Sequence, residues 1–179
     1  NDNIDELIIV SPKDWVDYIG KRYPNSKVVA GGLTRSESVI NGLSKLSNQS
    51  EKVLIHDAAR PLIDNKTISM CIEELNSHDC VAPMINVKES IVVTDRETYN
   101  YIDRNKIKII QTPQCFKTAV INDLYNTYVN SSDEIGLALK SDKNYKIKFI
   151  PGSENNIKVT TASDLEIVKQ LLKNRKESC

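Results

Sequence analysis

Residues 53–61 read Val53-Leu54-Ile55-His56-Asp57-Ala58-Ala59-Arg60-Pro61. Three apolar residues of strand type stop at a carboxylate, a guanidinium follows three positions later, and a proline stiffens the turn. An apolar strand that delivers charge at its carboxyl end is the building unit of open α/β sheets, whose ligands gather at those ends. Similar units flank the stretch. Leu7–Val10 and Lys27–Ala30 are short β-branched runs before it, and Cys80–Ala82 and Lys146–Ile150 come after it. Between and beyond them, apolar residues recur at helical spacing over Pro12 to about Arg22, Ser36–Leu46, Thr67–Leu75, Thr118–Val129, Glu134–Leu139 and Ala162–Lys173. Ser11 is placed to cap the first helix, with Pro12 at its first position. In the last helix Leu165, Val168, Leu171 and Leu172 are expected to face inward, and the basic end Lys173–Lys176 suits the helix dipole. Alternating strands and helices predict an α/β fold with a mostly parallel sheet and helices on both faces. A chain of 179 residues makes this one domain, residues 1–179.

The alternation breaks at residues 89–111. Ile91–Thr94, Tyr99–Ile102 and Ile107–Ile110 are strand-like, with polar turns between them and no helical period. This predicts a β-arm that leaves the main sheet. At its exit, Gln111-Thr112-Pro113-Gln114-Cys115-Phe116 reads as a loop anchored by Phe116, with amides able to offer several hydrogen bonds.

Composition narrows the function classes. Lys plus Arg and Asp plus Glu both number 24, so the net charge is zero, which speaks against a nucleic-acid binder but leaves room for a small basic pocket. Trp15 and the seven tyrosines form no RNA-stacking pattern. No apolar run approaches a membrane span, and the opening NDNIDELIIV is no secretory leader, so a cytoplasmic protein is expected. Cys71, Cys80, Cys115 and Cys179 lack zinc-ligand spacing and read as reduced thiols.

Besides Gln111–Phe116, three segments can carry chemistry. Asp57, at a strand end, can hold Mg²⁺ together with substrate phosphates, and Arg60 can grip a phosphate or hydroxyl; the two can equally be a surface pair that caps the next turn. Gly31-Gly32, followed by Thr34, Arg35, Ser36 and Ser38, forms a strand–Gly–helix turn that lets backbone N–H groups approach a ligand, or an ordinary capped turn. Lys158 in Asn156-Ile157-Lys158-Val159-Thr160 is either a phosphate clamp or a solvated rim residue. His56 reads as a hydrogen-bonded strand-end histidine rather than a base.

In this order, VVAGGLTRSESVINGL, VLIHDAARPLI, DRNKIKIIQTPQCF and GSENNIKVTTASDL resemble the 2-C-methyl-D-erythritol 4-phosphate cytidylyltransferase family, whose close relatives are the ribitol-5-phosphate cytidylyltransferases. The resemblance covers nearly all of residues 4–172. It implies a Rossmann-like nucleotidyltransferase fold that dimerises through projecting β-arms. It also implies transfer of a cytidylyl group from CTP to a sugar-alcohol phosphate, with Mg²⁺ and release of diphosphate. By the same resemblance Asp57 binds the metal and orients substrate, Lys158 lies near the α-phosphate, and Arg60 contacts the polyol phosphate. Gly31, Gly32 and Ser38 meet the cytosine nucleoside. Arg104 and Thr112, with Ser90 in place of a threonine, match arm residues that hold the substrate phosphate across the dimer. Glu89-Ser90 stands where the family usually has Asp-Thr, which leaves methylerythritol and ribitol phosphate both open as substrates. A non-catalytic nucleotide-binding dimer is the third possibility.

The family also carries a first strand and a Gly-rich loop of the type AAGxGxRM…PKQ, whose Arg and Lys embrace the CTP phosphates. No such segment occurs in the 179 residues. The expectation is that roughly 40–50 residues of the family domain are lacking and that the polypeptide as written is inactive.

Overall fold

The computed structural model describes residues 1–127 and 133–177. Val129 and Cys179, both part of the sequence expectations, lie outside the described residues. Strands β1 (Ile8–Ser11) and β2 (Lys27–Ala30) pair in parallel as a separate ladder. Helices α1 (Val16–Arg22) and α2 (Arg35–Leu43) pack on it. A five-stranded sheet holds β3 (Lys52–Ile55), β4 (Cys80–Asn86), β7 (Lys108–Ile110), β8 (Gln114–Lys117) and β9 (Ile147–Pro151). The β-arm is the antiparallel hairpin of β5 (Ile91–Asp95) and β6 (Thr98–Ile102), which forms its own two-stranded sheet. No helix among the described residues is long and apolar enough to cross a membrane.

Side-chain alternation along the central strands builds two cores. Cys80 and Ala82 of β4 and Phe116 of β8 face α4 (Thr118–Thr127) and α5 (Glu134–Lys140), with Ile121, Leu124, Ile135 and Leu137 buried there. Val81 and Cys115 point the other way, onto Cys71 and Leu75 at α3 (Asn65–Glu74). Period-two alternation with helices on both faces is what the sequence pattern implied.

Four differences from the sequence reading have physical causes. Residues 114–117 are a buried strand and not a loop: β8 runs antiparallel between β3 and β4, with Phe116 opposite Val53 and Cys80. The large sheet is therefore more mixed than the alternation implied, because the chain returns from the arm straight into the sheet through β7 and β8 without a crossover helix. Ser11 ends β1 and donates its hydroxyl to the Pro12 carbonyl instead of capping a helix, and a short 3₁₀ turn over Lys13–Trp15 precedes α1. In α6 (Ala162–Glu177) Val168 is buried, but Leu165 and Leu172 are 43% and 38% exposed, since the helix meets the body along the row of Val168, Leu171 and Arg175.

A strand paired on both edges opens only with the whole sheet. The amides of Cys115 and Phe116 should be among the slowest to exchange in native-state hydrogen exchange; exchange at loop rates would show that β8 is not a central strand.

Candidate active site

Asp57 lies two residues past the end of β3, after His56, and is the centre of a charge cluster. Its carboxylate Oδ2 pairs with Lys158 Nζ at 2.9 Å and lies 3.9 Å from Arg60 Nε, while Oδ1 lies 3.8 Å from Arg35 Nη2. Three cations thus converge on one carboxylate that is 18% exposed. Burial works against ionising Asp57, but the Lys158 hydrogen bond and the charges of Lys158, Arg35 and Arg60 outweigh it and hold the carboxyl below its ordinary range.

Each cation arrives from a different element, and most are tied down. Arg60, on the turn after β3, donates Nη1 to the Asn156 carbonyl at 2.8 Å. Arg35, at the start of α2, forms a fork with Glu134 of α5, at 2.5 and 2.9 Å. Lys158 is 46% exposed at its side chain, and its loop is stitched to the Asp57 turn by Val159 N–H donating to the Ala59 carbonyl at 2.8 Å.

A polar relay fixes the backbone at Asp57. The Asp57 N–H donates to Thr112 Oγ1 at 3.1 Å, Thr112 Oγ1 lies 3.0 Å from His56 Nδ1, and His56 Nε2 lies 3.0 Å from the Arg60 carbonyl. Because a carbonyl only accepts, the network assigns the proton to Nε2 and makes Nδ1 the acceptor of the Thr112 hydroxyl. His56 as a residue is exposed, yet both ring nitrogens are engaged. Their dehydration draws its pKa below the ordinary value, which suits a neutral structural histidine. Asn156, 2% exposed, donates to the Thr112 carbonyl at 2.9 Å. Gln111 clasps Ser153 through its carbonyl and N–H at 2.8 and 3.2 Å.

The Gly31–Ser38 turn lies on the other side of Arg35. Thr34 caps α2, its Oγ1 accepting from Glu37 N–H at 3.1 Å, while Glu37 accepts from Leu33 N–H at 2.6 Å. Ser38 Oγ accepts from Gly32 N–H at 3.1 Å and donates to the Thr34 carbonyl at 2.9 Å. A Cβ on Gly31 would stand 2.8 Å from Ser38 Oγ, and one on Gly32 would run into the Glu37 side chain. The glycines are set by close approach to Ser38 and Glu37 of the same turn, which is the capped turn the sequence offered as the alternative to a ligand cradle.

Asp57, Arg60, Lys158 and Thr112 come together in one place, with Gly31, Gly32 and Ser38 reached through Arg35. Ser90 and Arg104 do not join them. Ser90 is exposed just before the arm, and Arg104, in the 3₁₀ turn Arg104–Lys106 after it, donates Nη1 to the Lys88 carbonyl. Beside Arg104 is an open hollow of about 410 Å³ lined by Asn86, Lys88, Asn105 and Lys108. Thr112 is not an arm residue: by that point the chain has rejoined the sheet through β7, and Thr112, 4% exposed, spends its hydroxyl on Asp57 and His56.

The family model for 2-C-methyl-D-erythritol 4-phosphate cytidylyltransferase (IspD) matches residues 1–174. The chain belongs to the IspD family. Among curated relatives, the 2-C-methyl-D-erythritol 4-phosphate cytidylyltransferases of Clostridioides difficile strain 630 and Clostridium novyi strain NT are 32% and 34% identical. The matches cover 98% of this chain in both cases, and 78% and 80% of the relatives. The crystal structure of 4-diphosphocytidyl-2C-methyl-D-erythritol synthase from Anaerococcus prevotii superposes with a TM-score of 0.88 at 30% identity, over 95% of this chain and 79% of that one. Four residues to which the sequence assigned no site role serve the Asp57 cluster: Glu134 and Tyr125 from outside the recognised motifs, and Gln114 and Asn156 from within them. Gln114 could have been noticed, since an amide in an otherwise apolar buried strand needs partners; it takes the Glu134 and Ile135 N–H groups, both at 2.9 Å, at the start of α5.

The depressed Asp57 pKa has a stability consequence. A carboxyl lowered in the fold contributes stability above its unfolded pKa and loses it as pH falls through the folded one. Urea unfolding should find Asp57→Asn less stable than the parent at neutral pH, with the gap closing as pH drops below the ordinary value of 3.8. A gap that stays constant into acid would show that the ion pairs at Asp57 do not stabilise the fold.

Proposed function

We propose that this IspD-family chain acts as a cytidylyltransferase, transferring CMP from CTP to 2-C-methyl-D-erythritol 4-phosphate in isoprenoid precursor synthesis. A phosphate oxygen of the alditol phosphate attacks the α-phosphorus of CTP. The new P–O bond forms as the bond to the bridging α,β-oxygen breaks, and that electron pair departs with diphosphate. The attacking phosphate is already anionic, so the chemistry asks for positioning and charge neutralisation more than for a base. The observation that carries this reading is the strand-end carboxylate encircled by three cations, with a glycine turn for the nucleoside beside it.

In this reading Lys158 exchanges its bond to Asp57 for the α-phosphate, and Arg60, tethered by Asn156, keeps its charge directed at the alditol phosphate. Gly31, Gly32 and Ser38 present backbone and hydroxyl groups to the cytidine. The donor set at Asp57 fits one hard cation. Oδ1 has no partner closer than Arg35 at 3.8 Å, and no cluster of three or more His, Cys, Asp or Glu gathers among the described residues. An ion held by one carboxylate and the substrate phosphates is the habit of Mg²⁺, and when bound it would neutralise charge on the triphosphate. The family's Gly-rich triphosphate loop is not among residues 1–179. We assign these residues to a single cytidylyltransferase domain that works with that loop in place. The test is turnover with CTP, Mg²⁺ and either alditol phosphate, in a version carrying the family's opening strand and loop ahead of Asn1. Product from the methylerythritol substrate is expected. Product from ribitol 5-phosphate alone would reassign the substrate, and a folded, nucleotide-binding but inert protein would favour a non-catalytic homologue. Asp57→Asn and Lys158→Ala should each lower turnover about 100-fold or more, because both act where charge builds up; unchanged rates would return them to structural roles.

We assign Ser90 and Arg104 to the site of a second copy. The arm supports this: Val92, Val93, Tyr99 and Tyr101 are exposed along β5 and β6, as an unpaired dimer surface would be, and the Arg104 guanidinium suits a dianionic phosphate. If the site is shared, mixing Arg104→Ala with Asp57→Asn subunits should recover about a quarter of parental activity, since half the dimers are mixed and each holds one intact site. Activity no greater than the sum of the two mutants, with exchange verified, would place Arg104 outside the partner's site.

A further inference from the structure

Glu134 is the one charged side chain in the molecule's described core with no exposure at all, and no motif of the sequence points to it. Its Oε1 accepts from Arg35 Nη1 at 2.5 Å and from the Tyr125 hydroxyl at 2.8 Å, and its Oε2 accepts from Arg35 Nη2 at 2.9 Å. The backbone beneath it is equally fixed: Gln114 takes the Glu134 and Ile135 N–H groups, and Asp133 caps α5 through Gly136 N–H at 2.5 Å. Arg35 therefore stands between two carboxylates. It is fully forked to Glu134 yet 3.8 Å from Asp57 Oδ1, beyond hydrogen-bond range.

That geometry has a competing outcome. An arginine within 4 Å of a second, less buried carboxylate gains by closing on it, because a planar guanidinium matches a carboxylate bidentately. Closure would cover Asp57 Oδ1, the oxygen left open in the present arrangement. It would also pull Lys158 away from being the close partner of Asp57. Arg60 is restrained in a similar way by the Asn156 carbonyl. The partner left free to exchange is Lys158, whose side chain is 46% exposed.

We propose that Glu134 is a positioning residue: by locking Arg35 in a bidentate fork it keeps that guanidinium from closing on Asp57, so that the carboxylate retains an open oxygen and an exchangeable lysine partner. Arg35 then supplies a fixed positive field without occupying the site. The significance for catalysis rests on the cytidylyl-transfer reading. The contact pattern does not, and the experiment reads the contact pattern alone.

The experiment is a triple-mutant box in the 179-residue chain, with urea unfolding as the readout. The coupling between Arg35→Met and Asp57→Asn is measured with Glu134 present and again in Glu134→Gln, which keeps the volume but drops the charge. With the lock removed, the Arg35–Asp57 coupling factor in the unfolding equilibrium should rise about five-fold or more, within the range that contacting charged residues give. The Lys158–Asp57 coupling, from Lys158→Ala, should fall in the same background. A purely structural Glu134 would lower stability and leave both couplings where they were, and that result would overturn the proposal. Should Glu134→Gln not fold, Glu134→Asp withdraws the carboxylate by one methylene with its charge intact. It should shift both couplings in the same directions by less, and unchanged couplings there would overturn the proposal equally.

Discussion

A carboxylate at the buried end of a β-strand must be compensated, and at Asp57 the compensation comes from three cations held by three different elements. Arg35 enters from α2, Arg60 from the turn after β3, and Lys158 from the loop before α6. These elements belong to separate stretches of the chain, and their charges meet at one carboxylate: Arg35 from the helix packed on the β1–β2 ladder, Arg60 from the five-stranded sheet's own turn and Lys158 from the C-terminal loop. The backbone relay from Asp57 N–H through Thr112 to His56 and Arg60 adds the direction in which the carboxylate must point.

The cluster also separates two jobs that one type of ion pair could not perform. Arg35 and Arg60 are committed elsewhere, to Glu134 and to a backbone carbonyl, which in the proposed reading keeps their charge in place. Lys158 pairs with Asp57 but is 46% exposed at its side chain, so in the proposed reading it is the cation that exchanges its partner for an incoming phosphate. A field built from fixed groups costs no reorganisation during reaction, which is what in-line transfer between phosphates demands.

How much of this the sequence made legible depends on the range of the interactions. Strand β3, the glycine turn and the carboxylate at residue 57 are local patterns, set by periodicity and by residues a few positions apart, and they were readable. The hairpin at β5–β6 was visible as a loss of helical period. Strand β8 was not, because its burial comes from being inserted between β3 and β4, and Gln114 disguises it as a polar loop until the start of α5 is brought alongside. Glu134 was hidden for the same reason. Its partners lie 99 positions upstream in Arg35 and nine positions upstream in Tyr125, and no spacing rule connects them. Thr112 was misplaced onto the arm because the resemblance gives order along the chain, whereas the register of β7 against β4 decides where the chain has returned to the sheet.

The most direct test of the Asp57–Lys158 pair as the transfer site is a crystal structure with CTP and Mg²⁺, of the chain joined to the family's Gly-rich loop. The account predicts Lys158 Nζ released from Asp57 and within hydrogen-bond distance of an α-phosphate oxygen, with Arg35 still forked to Glu134. A nucleotide bound elsewhere, with the Asp57–Lys158 pair intact, would contradict it.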